Sequence, residues 1–308
     1  MTFEQFEEQI IDSISDYYDG EASVTIGDVT KNNGVVLRGL TVRYREENIC
    51  PTVYIQTFYD ELLQGRTFKS ILDEILSVID SSKKDIDIDL SFLEDFESLK
   101  KKILVKLINK EQNKELLEEV PYVEFLDLAA VFYVMISNEK IGNGTVLLKD
   151  KNLEAFGIDI DVLFEIAKEN NKRILGSYIE GIEDILLKMM KMRNEEIPAD
   201  LEKTINENKE MGNILPLYVM SNKYNVLGAA CLLDNERLKE FSDEMDSDFY
   251  IIPSSIHEII LVPDFAGEEP DSLRDMVKEV NMTQVPVQEV LSDRLYKYRR
   301  ACKGVSFC

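Results

Sequence analysis

Apolar residues recur at helical spacing from the first positions of the chain. Phe3, Phe6, Ile10, Ile11 and Ile14 share one face, and Thr2 with Gln5 has the form of a capping box, which predicts an opening amphipathic helix. Past Asp19-Gly20 the pattern changes to two strand-like runs, Ala22–Thr30 and Val35–Tyr44. They flank Lys31-Asn32-Asn33-Gly34, where Asn-Gly supplies the positive φ angles that a tight hairpin requires. A polar turn, Arg45-Glu46-Glu47-Asn48, leads to a third strand over Ile49–Phe58 and completes a meander. Phe68, Ile71, Leu72, Ile75, Leu76 and Ile79 then predict a helix lying over one face of that meander. After the polar break Ser81–Asp85 a further helical stretch is expected over Phe96–Asn109, and Pro121 marks a hinge.

The second half opens on Phe125–Ser137, a run rich in Val and aromatics, and returns after Gly142-Asn143-Gly144 as Thr145–Leu148, which reads as a second hairpin. Helical patterns follow over Asp159–Arg193, with Asp159 and Asp161 placed to cap a helix start. Met189, Met190 and Met192 continue the apolar face of Ile182, Ile185 and Leu186, as adaptable packing residues. Asn194–Gly212, containing Pro198, reads as a polar connection with some helix. Strands at Leu217–Ser221 and Leu227–Leu233, a helix at Asn235–Met245, and strands at Phe249–Ile252 and Glu258–Val262 give a ββαββ order. A helix from Pro270 to Asn281 and a strand near Leu291–Tyr298 follow. The expected fold is α+β, with antiparallel sheets flanked by helices in two lobes. Residues 1–120 form the first lobe, 121–300 the second, and 301–308 a tail.

Composition narrows the function classes. With 44% hydrophobic and 31% charged residues the chain is apolar enough to fold. A formal charge of −24 opposes attraction to nucleic-acid phosphates or anionic lipid, so nucleic acid is not an expected partner. The acidic start and the lack of a bilayer-length apolar run point to a cytoplasmic protein without a membrane partner. Cys50, Cys231, Cys302 and Cys308 are scattered without metal-ligand spacing and read as free thiols, the first two in apolar context and the last two on the tail. No Gly-x-Gly-x-x-Gly, Gly-Lys-Ser/Thr or Gly-x-Ser-x-Gly pattern is present, and no cofactor is expected.

Several segments taken together carry a family resemblance: Asn32-Asn33-Gly34-Val35, Pro51-Thr52-Val53-Tyr54, Phe125-Leu126-Asp127-Leu128-Ala129, Met220-Ser221-Asn222, Gly228-Ala229-Ala230-Cys231, Ile252-Pro253-Ser254-Ser255-Ile256-His257-Glu258 and Leu291-Ser292-Asp293. In order and coverage the chain resembles an uncharacterised family of gut Clostridia and related Firmicutes known as domain of unknown function 5688. The resemblance implies a bacterial cytoplasmic origin. It brings no activity and no catalytic residues with it.

The candidate chemistry gathers around the only histidine. Ser254, Ser255, His257 and Glu258 lie between two strand-like runs, and Ser221-Asn222 ends another strand. A nucleophilic reading has Ser254 or Ser255 attacking and His257 taking the proton. The opposing reading is a hairpin in which Pro253 ends one strand, the serines bond their own turn, and His257 and Glu258 begin the next strand. Asp127, in strand context, needs a partner if buried. The acidic run Asp85-Ile86-Asp87-Ile88-Asp89 lacks the glycine and bidentate glutamate of a calcium loop, since Leu90 and Phe96 stand at those positions, so no metal site is expected there. The leading expectation is a non-enzymatic protein-binding or adaptor module with a surface around Ser221, Asn222, Ser254, Ser255, His257 and Glu258. The alternatives are a metal-independent hydrolase or transferase using His257 with Ser254 or Ser255, and an acidic decoy for a nucleic-acid-binding protein.

Overall fold

The computed structural model of the chain describes residues 1–44, 52–82, 95–138, 142–193, 215–266 and 269–308. The Arg45–Asn48 turn, Cys50, the Asp85–Asp89 run and the Asn194–Gly212 connection lie outside the described residues. The class is α+β, with helices and antiparallel sheets. By contacts the chain divides into two compact units, Met1–Glu94 with Met135–Thr145, and Asp95–Val134 with Val146–Cys308.

The first unit begins with α1 (Phe3–Tyr17), whose start is fixed as its sequence predicts. Thr2 Oγ1 accepts the Gln5 N–H at 3.3 Å, and Gln5 Oε1 accepts the Thr2 N–H at 3.0 Å. β1 (Ala22–Thr30) and β2 (Val36–Tyr44) pair antiparallel through Asn33 and Gly34 at φ 61 and 67, and β3 (Thr52–Tyr54) pairs with β2. This third strand is shorter than expected. Gln56 already belongs to α2 (Gln56–Leu63), and its Oε1 accepts the Arg38 N–H of β2 at 3.0 Å. α3 (Phe68–Ser82) supplies Ile71, Ile75 and Ile79 to a core with Phe6, Ile10, Ile14, Leu40 and Val42, all essentially without solvent contact.

The second unit differs more from its sequence pattern. Phe96–Asn109 is one helical turn, α4 (Phe96–Leu99), followed by a strand, β4 (Ile103–Asn109). β4 is buried on both faces, and such a strand reads as a continuous apolar run that periodicity does not separate from a helix. After α5 (Lys114–Leu117) the expected strand from Phe125 is two strands, β5 (Tyr122–Phe125) and β6 (Leu128–Asn138). The chain reverses between them through Leu126 at φ 58, a left-handed angle that a leucine seldom adopts. β6 pairs with β4, β5 and β7 (Gly142–Leu147).

α6 (Asp150–Phe156) and α7 (Ile160–Asn170) follow, with Asp159 Oδ1 capping α7 through the Asp161 N–H at 2.8 Å. One wide turn, Asn171–Leu175, extends α7 before Gly176 at φ 63 ends it. The expected helical run to Arg193 is then interrupted by β8 (Tyr178–Gly181) before α8 (Ile182–Met192), where Met189 and Met192 are exposed instead of packed. β9 (Tyr218–Ser221) precedes a buried tight helical turn, Gly228–Leu233, where a strand was expected. α9 (Asn235–Met245), β10 (Phe249–Ile252), β11 (Ile259–Pro263), α10 (Pro270–Thr283), β12 (Tyr296–Arg299) and β13 (Gly304–Phe307) complete the chain. The six-stranded sheet runs β13-β12-β10-β11-β9-β8, antiparallel throughout. The expected ββαββ order loses its second strand, and the expected tail is the edge strand β13.

Candidate functional site

β9 and β11 pair with Met220 opposite Ile259, and this register lays the loop after β9 over the segment that joins β10 to β11. The seam is dense with backbone bonds. Ser221 Oγ donates to the His257 carbonyl at 2.8 Å, the Leu227 N–H donates to His257 Nδ1 at 3.2 Å, and the Ala229 N–H donates to the Ile256 carbonyl at 3.2 Å. Gly228 sits where any side chain would collide, since a Cβ there would lie 2.1 Å from Ser221 Oγ and 2.4 Å from the His257 carbonyl oxygen. On its other side the segment is held by the chain before β12. The Ile256 N–H reaches the Glu289 carbonyl at 2.8 Å, and the N–H groups of Leu291 and Ser292 reach the carbonyls of Ser254 and Pro253.

The sequence-derived candidates therefore meet, with Ser221, Asn222, Ser254, Ser255 and His257 in one neighbourhood. Ser221, Asn222, Ser254 and Ser255 are buried. Their hydrogen bonds are structural in form. Ser255 Oγ accepts the His257 N–H at 3.0 Å, a local turn bond. Because His257 Nδ1 accepts a backbone N–H, a neutral ring carries its proton on Nε2, which faces Glu289 Oε2 at 3.9 Å. Among the described residues no serine hydroxyl bonds the imidazole. Glu258 is partly exposed, and its charge bears on Tyr178, whose phenol is raised first by burial and then by Glu180 and Glu258.

The loop after β9 contains the residues that sequence reasoning missed. Asn222 organises it from inside, its Oδ1 accepting the Tyr224 N–H at 2.9 Å and its Nδ2 donating to the Val226 carbonyl at 2.8 Å. Asn225 and Leu227 both take left-handed backbone angles, φ 54 and 55, and Asn225 Oδ1 accepts the Tyr178 hydroxyl at 2.7 Å. Pinned in this way, the loop holds Tyr224 at 47% and Val226 at 50% exposure. The available signal was Asn222-Lys223-Tyr224-Asn225, since asparagine tolerates left-handed angles and bonds its own turn.

Asn222, Leu227 and Cys231 also line a narrow, mainly apolar cleft together with Lys172 and Leu175. Burial, with Asp234 nearby, pushes the Cys231 thiol up to about 12, which leaves it protonated and unreactive at neutral pH. Lys172 is engaged by Glu236 at 2.9 Å and Asp234 at 3.5 Å. Asp127 has the partners it needs in a separate cluster, accepting from Ser292 Oγ at 2.7 Å and from the Tyr296 hydroxyl at 2.6 Å. Burial and Asp127 together hold the Tyr296 phenol far above its ordinary value.

No group of three or more His, Cys, Asp or Glu side chains that could hold a metal occurs among the described residues, and no described helix is long and apolar enough to cross a membrane. Comparison with curated proteins and with solved structures finds no match to the chain. The chain belongs to a family of unknown function, DUF5688, whose model matches residues 3–300.

Proposed function

We propose that this chain is a non-enzymatic protein-binding module that engages its partner through the loop between β9 and the Gly228–Leu233 turn. Tyr224 and Val226 are the contacting side chains. Ser221, Asn222, Ser254, Ser255 and His257 form the frame beneath them. The observation that carries this reading is the pinned loop with an exposed aromatic tip: Asn222 and His257 tie its backbone and the Tyr178 hydroxyl holds the Asn225 side chain, while Tyr224 stands 47% exposed. Exposed tyrosines on pre-ordered loops are efficient contact residues, because little conformational freedom remains to be lost on binding. Glu258 and Glu289 beside the seam, on a chain of charge −24, favour a partner that carries cations around an apolar pocket. A catalytic reading of the same residues would need a serine hydroxyl on the imidazole, where the Leu227 N–H now binds.

The experiment is photo-crosslinking from position 224, followed by affinity measurement with the protein it captures. The expected outcome is a stoichiometric complex weakened about tenfold or more by Tyr224→Ala, the loss typical of an interface anchor, with the melting temperature unchanged. A complex indifferent to Tyr224→Ala and Val226→Ala would refute the loop as the contact. A hydrolytic activity lost in His257→Ala at constant folded stability would replace the binding reading with the enzymatic one.

A further inference from the structure

The ring of His257 stands between two segments that make opposite demands on it. The loop after β9 donates its Leu227 N–H to Nδ1 at 3.2 Å, and the segment before β12 presents Glu289 Oε2 at 3.9 Å from Nε2. The bond to Leu227 needs a lone pair on Nδ1, which only a neutral ring possesses; in the imidazolium both nitrogens are donors. Histidine is the side chain that ordinarily makes this change between about pH 5 and 8. The side chain is 26% exposed, so solvent reaches it. Protonation thus sets a donor against the Leu227 N–H and at the same time gives the ring a full charge beside the Glu289 carboxylate.

The residue held by this bond is itself strained. Leu227 sits at φ 55, a left-handed angle that a leucine keeps only where surrounding bonds impose it. Two neighbouring bonds of the seam involve no titrating group: Ser221 Oγ donates to the His257 carbonyl, and the Ala229 N–H donates to the Ile256 carbonyl. Loss of the Nδ1 bond therefore lets residues 223–227 relax while Gly228 and the turn behind it stay docked. The titratable groups on the elements around the ring are Glu289 before β12, Glu258 next in the chain, Lys223 and Tyr224 on the loop, and Tyr178 on β8. Among the described residues, Glu289 alone comes within ion-pair distance of the imidazole. The Lys223 ammonium lies over the Tyr224 ring at 4.9 Å, and the Tyr178 phenol, raised by burial, donates to Asn225.

We propose that His257 is a pH-sensitive latch on the β9 loop: the neutral ring holds Leu227 in its left-handed conformation, and protonation exchanges that bond for an ion pair with Glu289 and lets the loop relax. The latch is closed at pH above the range in which histidine ordinarily charges and opens as pH falls through it. Its consequence for binding rests on the reading of this loop as the contact surface. Acid weakens the complex, because the order that the closed latch gives Tyr224 and Val226 must then be supplied on association.

The test is nuclear magnetic resonance of the full chain labelled with nitrogen-15, titrated from about pH 8 to about pH 5. With a single histidine in the chain, the ring signals assign themselves. The Leu227 amide is expected to follow the titration curve of the ring, and its protection against hydrogen exchange, corrected for the intrinsic pH dependence of exchange, to fall about tenfold, the loss of one hydrogen bond. Ala229 should keep its protection. Glu289→Gln should move the transition to lower pH, since the cation loses its counter-charge, and His257→Gln should abolish it. A ring that stays neutral throughout, or that titrates without a change at Leu227, overturns the proposal. So does an equal loss of protection at Ala229, or a transition unmoved in Glu289→Gln or persisting in His257→Gln. A latch that opens as expected while crosslinking from position 224 captures no protein leaves the latch standing and refutes the contact surface instead.

Discussion

Gly228 is the residue on which the seam between the β9 loop and the β10–β11 segment depends most directly. Adding one methyl group would place carbon 2.1 Å from Ser221 Oγ and 2.4 Å from a backbone carbonyl, and the carbonyl is fixed by the sheet on either side. Gly228→Ala is therefore expected to destabilise the second unit by about 3 kcal/mol, the upper part of the range for overpacking, read as a lowered midpoint in urea denaturation. His257 acts at the same seam from the segment between β10 and β11. Its Nδ1 accepts the Leu227 N–H, so nitrogen chemical shifts of the ring should report the tautomer protonated at Nε2. His257→Ala orphans that donor, and the expected loss is about 1–2 kcal/mol. A variant as stable as the parent would remove His257 from the frame. Sequence made this neighbourhood visible because the only histidine stands among serines. It gave no view of Tyr224, since an exposed tyrosine and a core tyrosine look alike in a chain.

At the scale of elements, β10, β11 and β12 are tied at one end by charge as well as by their ladders. Lys297 of β12 lies opposite Tyr250 of β10, with its ammonium 4.7 Å from the centre of that ring, and bonds Asp264 just past β11 at 2.7 Å. Burial alone would lower Lys297, but the hydrogen bond and charge of Asp264 outweigh it and the net shift is upward. Burial would raise Asp264, yet its bonds to Lys297 and Tyr250 bring it down. The sign of the pH dependence follows from linkage. Stability from Lys297 is complete below its unfolded value, about 10.4, and is lost as pH rises through the higher folded value. Stability from Asp264 is present above its unfolded value, about 3.9, and is lost as pH falls through the lower folded value. Lys297→Met should flatten the alkaline limb of a stability profile measured by denaturant unfolding at a series of pH values. An alkaline limb identical to the parent's would remove this pair from the account. The capping box of α1 and the Asp159 cap of α7 were legible residue by residue, because a cap is a local pattern of side chain and backbone. β4 was not, because a strand buried on both faces loses the alternation that would identify it.

The six-stranded sheet closes with β13, whose Phe307 ring meets Tyr296 at 5.8 Å, and Cys308 just after it donates its N–H to the Leu295 carbonyl. Removing residues 301–308 would leave β12 as an unpaired edge beside a buried tyrosine core. The truncated chain is expected to melt lower and to scatter light at concentrations where the parent does not. An unchanged melting temperature would mean that β13 adds nothing to the sheet. The sequence by itself determined the α+β class, the helix and three-stranded meander at the start, the caps of α1 and α7, and the net acidity of the chain. Each of these follows from local periodicity, local bonding or summed charge. Tertiary structure decided whether Gly228–Leu233 is a turn or a strand, whether the last residues are a tail or an edge strand, and what His257 and the serines bond to. Those outcomes depend on residues far apart in the chain: the Gly228 contact with His257, the Leu295 carbonyl that receives Cys308, and the Leu227 amide that occupies the imidazole. Only the register of β9 on β11 and of β12 on β13 brings these groups within bonding distance.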